Sequence, residues 1–238
     1  MFEEIKKLWK VNSSRKYLFD FAQRAAASLP NAAWVLDAGA GDCPYKSSFT
    51  QFRYDATDLC QVEKSYGKLS YLCDLKNVPV PSNCYDLVFC SQTLEHVPDP
   101  IKVLDELGRV LKPGGHLWLT APFFYEEHEA PFDYYRYTRF GLTQIIQNAG
   151  FSIESIEWLE GYFGTLAYQL KSAAKDLPMN PREYGPGPYG WLIIGPVGLL
   201  KIIFAVSGLF FMWLDMRSKH VSSGHCKNYA VIAVKGKS

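Results

Sequence analysis

The chain has 238 residues, 48% of them hydrophobic, and 25 basic against 24 acidic side chains give a formal net charge of +1. That length suits one α/β domain with an elaboration, and so even a charge balance excludes a globally basic nucleic-acid binder. The six cysteines contain no C-x-x-C pair, so buried free thiols are expected and no metal constellation is visible.

The start, M-F-E-E-I-K-K-L-W-K, has no apolar run of signal-peptide length, so an exported protein is not expected. Residues 2–10 read as an amphipathic helix, with Phe2, Ile5 and Trp9 on one face and Lys6, Lys7 and Lys10 around the other. Asn12 or Ser13 can cap a second helix to about residue 28, with Leu18, Phe21 and Ala25 turned inward. Residues 1–30 are expected to form a helical lid.

Trp34-Val35-Leu36 reads as a buried strand running through Asp37 into the turn Ala38-Gly39-Ala40-Gly41-Asp42-Cys43-Pro44. Gly39 and Gly41 stand where a Cβ would obstruct a ligand or force an unfavourable φ. A strand, a glycine turn and a helix form a nucleotide-binding arrangement. Pro44 takes the place of the last glycine of a dinucleotide fingerprint, while D-x-G-x-G fits Asp37, Gly39 and Gly41. A second strand, Arg53 to Asp58, ends on an acid 21 residues beyond Asp37. That spacing suits a carboxylate accepting from the two hydroxyls of a ribose. Asp55 competes for the role, and a plain turn aspartate is the structural alternative.

A short strand over Leu69–Leu75 and a proline-stiffened loop, Val78 to Asn83, come next. Tyr85–Cys90 is apolar enough for a central parallel strand. Asp99 as N-cap and Pro100 at the first position start a helix with Ile101, Leu104, Leu107 and Leu111 on one face. Lys112-Pro113-Gly114-Gly115 should stop it before the strand His116–Thr120.

The run C-D-L, then Y-D-L-V-F-C-S-Q-T-L-E-H-V-P-D-P, then L-K-P-G-G-H-L-W-L-T-A-P, together with the glycine turn, resembles the class I S-adenosylmethionine (SAM)-dependent methyltransferases over about residues 33–122. It is similar to the branch of small-molecule and ubiquinone-type methyltransferases. The resemblance implies a Rossmann-like α/β fold: a mostly parallel seven-stranded sheet with an antiparallel last strand and helices on both faces. It implies SAM as cofactor and S-adenosylhomocysteine as product. By position, Asp37 and the backbone of Ala38, Gly39 and Gly41 would face the methionine end of SAM. Asp58 with Leu59 would hold the ribose, and Asp74 and Leu75 would meet the adenine. Cys90 would contact the methionine amino group, with Gln92 and His96 nearby. His96 has an equal reading as a residue that orders the helix entry. Cys43 departs from the family's third glycine.

Phe123 to Thr138 is an aromatic loop on the ligand side of the sheet. His128 is a candidate general base, Tyr134 or Tyr135 a candidate acceptor-positioning group, and Arg136 a candidate anion binder. Each has a structural alternative: His128 as a brace, Arg136 as the partner of Glu129 or Asp133. Thr138 can cap a helix with Leu142, Ile145 and Ile146 on one face, and Phe151–Trp158 alternates as a strand. Trp191–Leu214 is 24 residues with one charge, Lys201, and Gly195-Pro196 and Gly198 should break its first turns. Asn228–Lys235 resembles the family's last strand, which makes residues 160–226 an insertion in one domain over 1–238.

The expectation is an enzyme that moves the SAM methyl group, at oxygen, to a small-molecule, sugar or lipid-linked acceptor. A nucleotide-dependent oxidoreductase and a non-catalytic scaffold are the alternatives. The expected location is the cytoplasm, with peripheral membrane contact through 191–214 or a homodimer as further possibilities and no nucleic acid as partner.

Overall fold

The computed structural model describes residues 13–236, so the amphipathic helix expected over 2–10 lies outside the described residues. By chain contacts it forms two compact units, one of Tyr17–Leu159 with the last strand, the other built on Glu160–Lys227.

The first unit is organised on a seven-stranded sheet. Its strands are β1 (Trp34–Ala38), β2 (Arg53–Asp58), β3 (Tyr71–Leu72), β4 (Tyr85–Ser91), β5 (Leu111–Pro122), β6 (Phe151–Trp158) and β7 (Asn228–Lys235), in the order β3-β2-β1-β4-β5-β7-β6. The first five strands pair in parallel. β7 runs antiparallel to both β5 and β6. The chain winds outward from β1 through β2 and β3, then restarts at β4 on the other side of β1. The crevice outside the carboxyl ends of β1 and β4 is therefore the switch point where ligands bind in such sheets.

Helix α1 (Ser13–Ala27) covers one face. Its Leu18, Phe21, Ala22 and Ala25 join Val35, Phe49, Leu87, Phe89 and Trp118 in one buried cluster. Phe21 alone, 1% exposed, removes enough apolar area to stabilise by about 2–3 kcal/mol. The segment from Tyr17 onward thus packs on the sheet as part of its core. Helix α2 (Pro100–Val110) packs on β5 and on α3 (Arg139–Asn148), which in turn packs on β6. The Asp99 side chain caps α2 by accepting from Lys102 N at 3.2 Å, and Thr138 caps α3 from Gly141 N at 3.1 Å.

Two boundaries differ from the sequence reading. The third strand keeps only Tyr71–Leu72. The Lys-Pro-Gly-Gly run belongs to the start of β5, where the pairing jumps from Tyr85↔Leu111 to Leu87↔His116. A bulge absorbs the extra residues that were expected to form a separate turn.

In the second unit, α4 (Tyr162–Asp176) is followed by a short 3-10 turn, Pro181–Glu183, and by α5 (Pro188–Arg217). The break expected at Gly195-Pro196-Gly198 does not occur. Pro196 removes one donor, whose acceptor would be the Leu192 carbonyl, and a helix of 30 residues carries through the loss of one bond. Five α5 residues are buried on one side: Gly190, Val197, Gly208, Met212 and Asp215.

Candidate active site

The turn after β1 is drawn in by its own backbone. Gly39 N and Ala40 N both donate to the Thr57 carbonyl at the end of β2, at 2.8 and 2.9 Å. Gly39 has φ +78°, and a Cβ there would stand 2.1 Å from the Thr93 side chain. Glycine is thus required by a neighbour as well as by φ. Gly41, at φ +54°, has nothing within 4 Å of where its Cβ would be, an open cradle of the kind a ligand fills. Cys43 keeps the left-handed conformation that a glycine would adopt, at φ +57°, and its N–H returns to the Ala40 carbonyl at 2.8 Å. The departure in residue type leaves the turn closed.

Asp58 stands at the carboxyl end of β2 and ties the turn to the second strand. Its Oδ2 accepts from Gly41 N at 2.9 Å and its Oδ1 from Cys60 N at 2.8 Å. A carboxylate offers about four lone-pair positions, so each oxygen keeps one for a hydroxyl. Asp55 has other work: it accepts from Trp34 Nε1 at 2.9 Å and from Tyr85 OH at 3.1 Å. Of the residues singled out from the sequence, one cleft brings together Gly39, Asp58, Leu59, Asp74, Leu75, Gln92 and His96. Thr93, Lys64, Tyr66 and Phe132, which were not singled out, also line it. Asp74 is partly engaged, accepting from Lys76 N at 2.9 Å.

Asp37, Ala38, Gly41 and Cys90 are not part of that wall. Asp37 is 1% exposed and accepts the Tyr54 hydroxyl at 2.5 Å. Burial pushes its carboxyl up to about 7, against the pull of the Tyr54 hydrogen bond.

The aromatic loop is sewn onto the turn after β4. Tyr134 N donates to the Glu95 carbonyl at 2.9 Å, Tyr137 OH to the Leu94 carbonyl at 2.8 Å and Tyr135 OH to the Pro98 carbonyl at 3.0 Å. This places His128 edge-on against His96, ring centres 4.6 Å apart. Carbonyl oxygens accept only, so the contacts of His96 Nδ1 with the Phe132 carbonyl, at 2.7 Å, and of His128 Nδ1 with the Glu126 carbonyl, at 3.2 Å, put the proton on Nδ1 in each neutral ring. Both Nε2 atoms are then proton acceptors. Burial lowers the His96 pKa, with His128 among the charges acting in the same direction. Asp133 Oδ2 lies 3.3 Å from His128 Nδ1.

Arg136 is not an anion site. Nε donates to the Tyr125 carbonyl, NH1 to Asp133 Oδ1 and the Tyr135 carbonyl, and NH2 to Asp133 Oδ2 and the Glu126 carbonyl. All five N–H groups of a guanidinium are then used. The pairing alternative is realised with Asp133, while Glu129 pairs with Lys64 at 2.6 Å.

Glu95 was missed by the sequence reading. It is fully buried, neither carboxylate oxygen has a hydrogen-bond partner, and burial pushes its pKa up to about 8. One of its oxygens lies within 4.8 Å of ring nitrogens of His96 and His128.

Residues 36–119, which hold the glycine turn, the switch point and most of the cleft, match a family model described as a methyltransferase domain. That stretch is similar to a methyltransferase domain, the family that the sequence motifs resemble. A ubiquinone biosynthesis O-methyltransferase of Bordetella avium is 32% identical over 132 residues, half of this chain. The chain spans about half the length of that curated relative, 53%. Among solved structures, the [4+2]-cyclase SpnF is similar with TM-score 0.57 at 18% identity, over 94% of this chain and 82% of its own. Phosphoethanolamine N-methyltransferase 2 of Haemonchus contortus, in complex with SAM, is similar with TM-score 0.53 at 18% identity, over 90% of this chain and 51% of its own. At such identities the structural likeness speaks for the fold alone. A methyltransferase domain of this kind implies SAM as cofactor. The open cradle at Gly41 and the unspent lone pairs of Asp58 suit its ribose and methionine parts.

Proposed function

We propose that the protein transfers the methyl group of SAM to a hydroxyl oxygen of a small-molecule, sugar or lipid-linked acceptor. The observation that carries this reading is His96 in the wall of the Asp58 cleft with His128 edge-on against it, ring centres 4.6 Å apart. Asp58 and Leu59 take the ribose, Asp74 and Leu75 the adenine. Gly39, Gly41 and the backbone around Asp37, Ala38 and Cys90 take the methionine end, with Gln92 and His96 at the boundary with the acceptor. SAM supplies a methyl group on a sulfonium, which an in-line nucleophile displaces.

The chain's own residues prepare that nucleophile. His128 Nε2 takes the acceptor's hydroxyl proton. Asp133 stabilises the imidazolium and holds the ring by Nδ1, and Arg136 fixes Asp133. Tyr134, 45% exposed, borders the acceptor. The cytoplasm is the proposed location, at the inner face of the membrane where the acceptor is lipid-linked.

Two measurements test the reading. Calorimetric titration should give one SAM site per chain. Incubation of protein, radiolabelled SAM and a cell extract should put label into an extractable small molecule or lipid, in an alkali-stable ether or an alkali-labile ester. SAM binding without any label transfer would favour the scaffold alternative.

A further inference from the structure

The unit built on Glu160–Lys227 holds two helices packed as an antiparallel hairpin. Lys201 Nζ donates to the carbonyls of Lys175 and Leu177, at 3.2 and 3.1 Å. A Cβ at Gly208 would meet Lys171 at 2.8 Å and the Ala167 carbonyl at 3.3 Å. Gly161 N donates to Asp215 Oδ2 at 3.3 Å, and a Cβ at Gly164 would stand 2.5 Å from the Asp215 carboxylate. The contacts step back along α4 as α5 advances, so the register of the hairpin is fixed by small residues and by charge.

That register decides what α5 shows outside. Between Trp191 and Asp215 its charged residues are Lys201 and Asp215, and both are turned onto α4, one as a cap for its carboxyl end, the other buried. The opposite side exposes Leu192 (74%), Leu199 (60%), Ile202 (62%), Val206 (58%) and Phe210 (53%). From Leu192 to Trp213 this is a stripe about 30 Å long without a charge. The helix contains an 18-residue window of mean hydropathy 2.2 of which 6% is buried. A core helix of this composition would be mostly covered, and exposed apolar patches of this extent mark an interaction surface.

We propose that the exposed face of α5 lies in the plane of a lipid bilayer surface, sunk to the headgroup–acyl boundary, with α4 on its aqueous side. Three observations favour lipid over a second copy of the chain. The five exposed positions named above offer no hydrogen-bonding side chain, whereas protein interfaces carry a polar rim and about one hydrogen bond per 100–200 Å². Trp191 (70% exposed) and Trp213 (41%) bracket the stripe, and tryptophan rings prefer the headgroup level. Arg217 stacks over Trp213, 5.5 Å from the ring centre, and puts a cation where anionic headgroups would lie. A double crossing is not available. The segment leaves β6 and rejoins β7 at directly paired residues, Trp158↔Tyr229. The return helix α4 has 15 residues, about 22 Å against a hydrocarbon core of about 30 Å.

The test needs neither SAM nor an acceptor, so its outcome is separate from that of the methyltransferase reading. Purified full-length protein is floated on a density gradient with vesicles of phosphatidylcholine containing about a third phosphatidylglycerol. The triple variant Leu199→Glu/Val206→Glu/Phe210→Glu is run beside it. Its substitutions lie on the exposed face, and its circular dichroism and thermal transition report whether it folds. The wild type should float, and the variant should lose about tenfold or more of its vesicle affinity. In the wild type, brominated lipid should quench a tryptophan signal that Trp191→Phe removes. Wild type that stays at the bottom of the gradient, as a monomer or as a dimer that the triple variant dissociates, overturns the proposal. So does flotation that the folded variant retains in full.

Discussion

Arg136 and Asp133 form a two-pronged ion pair, NH1 to Oδ1 at 2.7 Å and NH2 to Oδ2 at 2.8 Å, with the Asp133 side chain 5% exposed. The guanidinium beside it holds the Asp133 carboxyl below the usual carboxylate range, helped by the His128 N–H. Arg136→Lys keeps the charge but not the fork. It should cost about 1.5–3 kcal/mol in urea unfolding and lower turnover with little change in acceptor KM. An acceptor KM that rises steeply at unchanged stability would return Arg136 to the acceptor site. A depressed folded pKa contributes stability that is present above the ordinary aspartate value, about 3.9, and is lost as pH falls through the folded value. Asp133→Asn should remove that part of the acid loss.

His128→Ala should leave SAM affinity unchanged and lower methyl transfer by about 10²–10⁴-fold, the range for a positioned general base. Full turnover in the folded variant would mean that the acceptor loses its proton without His128.

Glu95 should be legible in a stability–pH profile. Its folded pKa is about 8 against an ordinary value of 4.5. The folded state therefore holds a proton that the unfolded state releases between those values. The stability from this group is full below about pH 4.5 and lost as pH rises through about 8. Asp37, raised to about 7, acts with the same sign in a lower window. Glu95→Gln should gain stability relative to wild type as pH rises from about 5 to 9, measured by urea midpoints. A constant difference across that range would show that Glu95 is ionised throughout.

The two turn glycines should separate. Gly39→Ala is opposed by both φ and the Thr93 side chain and should destabilise by more than about 1–2 kcal/mol. Gly41→Ala meets open space, so it should fold with a smaller loss and show its effect in SAM affinity. Equal losses of stability in both, with SAM binding intact, would remove Gly41 from the site.

The fold and several residues of the cleft were legible because their signals are local. A strand ending in Asp37-x-Gly-x-Gly, an acid at the next strand end and Asp99-Pro100 at a helix start each fit in a few residues. The acceptor side was legible only in part. Glu95 and His128 are 33 positions apart in the chain and meet because Tyr134, Tyr135 and Tyr137 anchor the aromatic loop to the turn at Leu94–Pro98. Three tyrosines within four residues were the available signal, but Tyr134 and Tyr135 read as candidate acceptor-positioning groups rather than as anchors of the loop. Arg136 was ambiguous for a related reason: charge and loop position do not tell whether five N–H groups face a ligand or the loop's own carbonyls. In α5, composition carried the apolarity, but glycine and proline were weighed as helix breakers. The packing of Gly208 on α4 and the inward turn of Lys201 lie beyond local pattern.

The central claim is that the cleft beside Asp58 is a SAM site. Calorimetric titration of the wild type and Asp58→Ala with SAM, and with NAD as control, tests it most directly. The wild type should show one SAM site and no NAD binding. Asp58→Ala should weaken SAM by about 1.5–3 kcal/mol with its circular dichroism unchanged. Absence of SAM binding to folded wild type, or a folded Asp58→Ala that binds SAM as tightly as wild type, would contradict it.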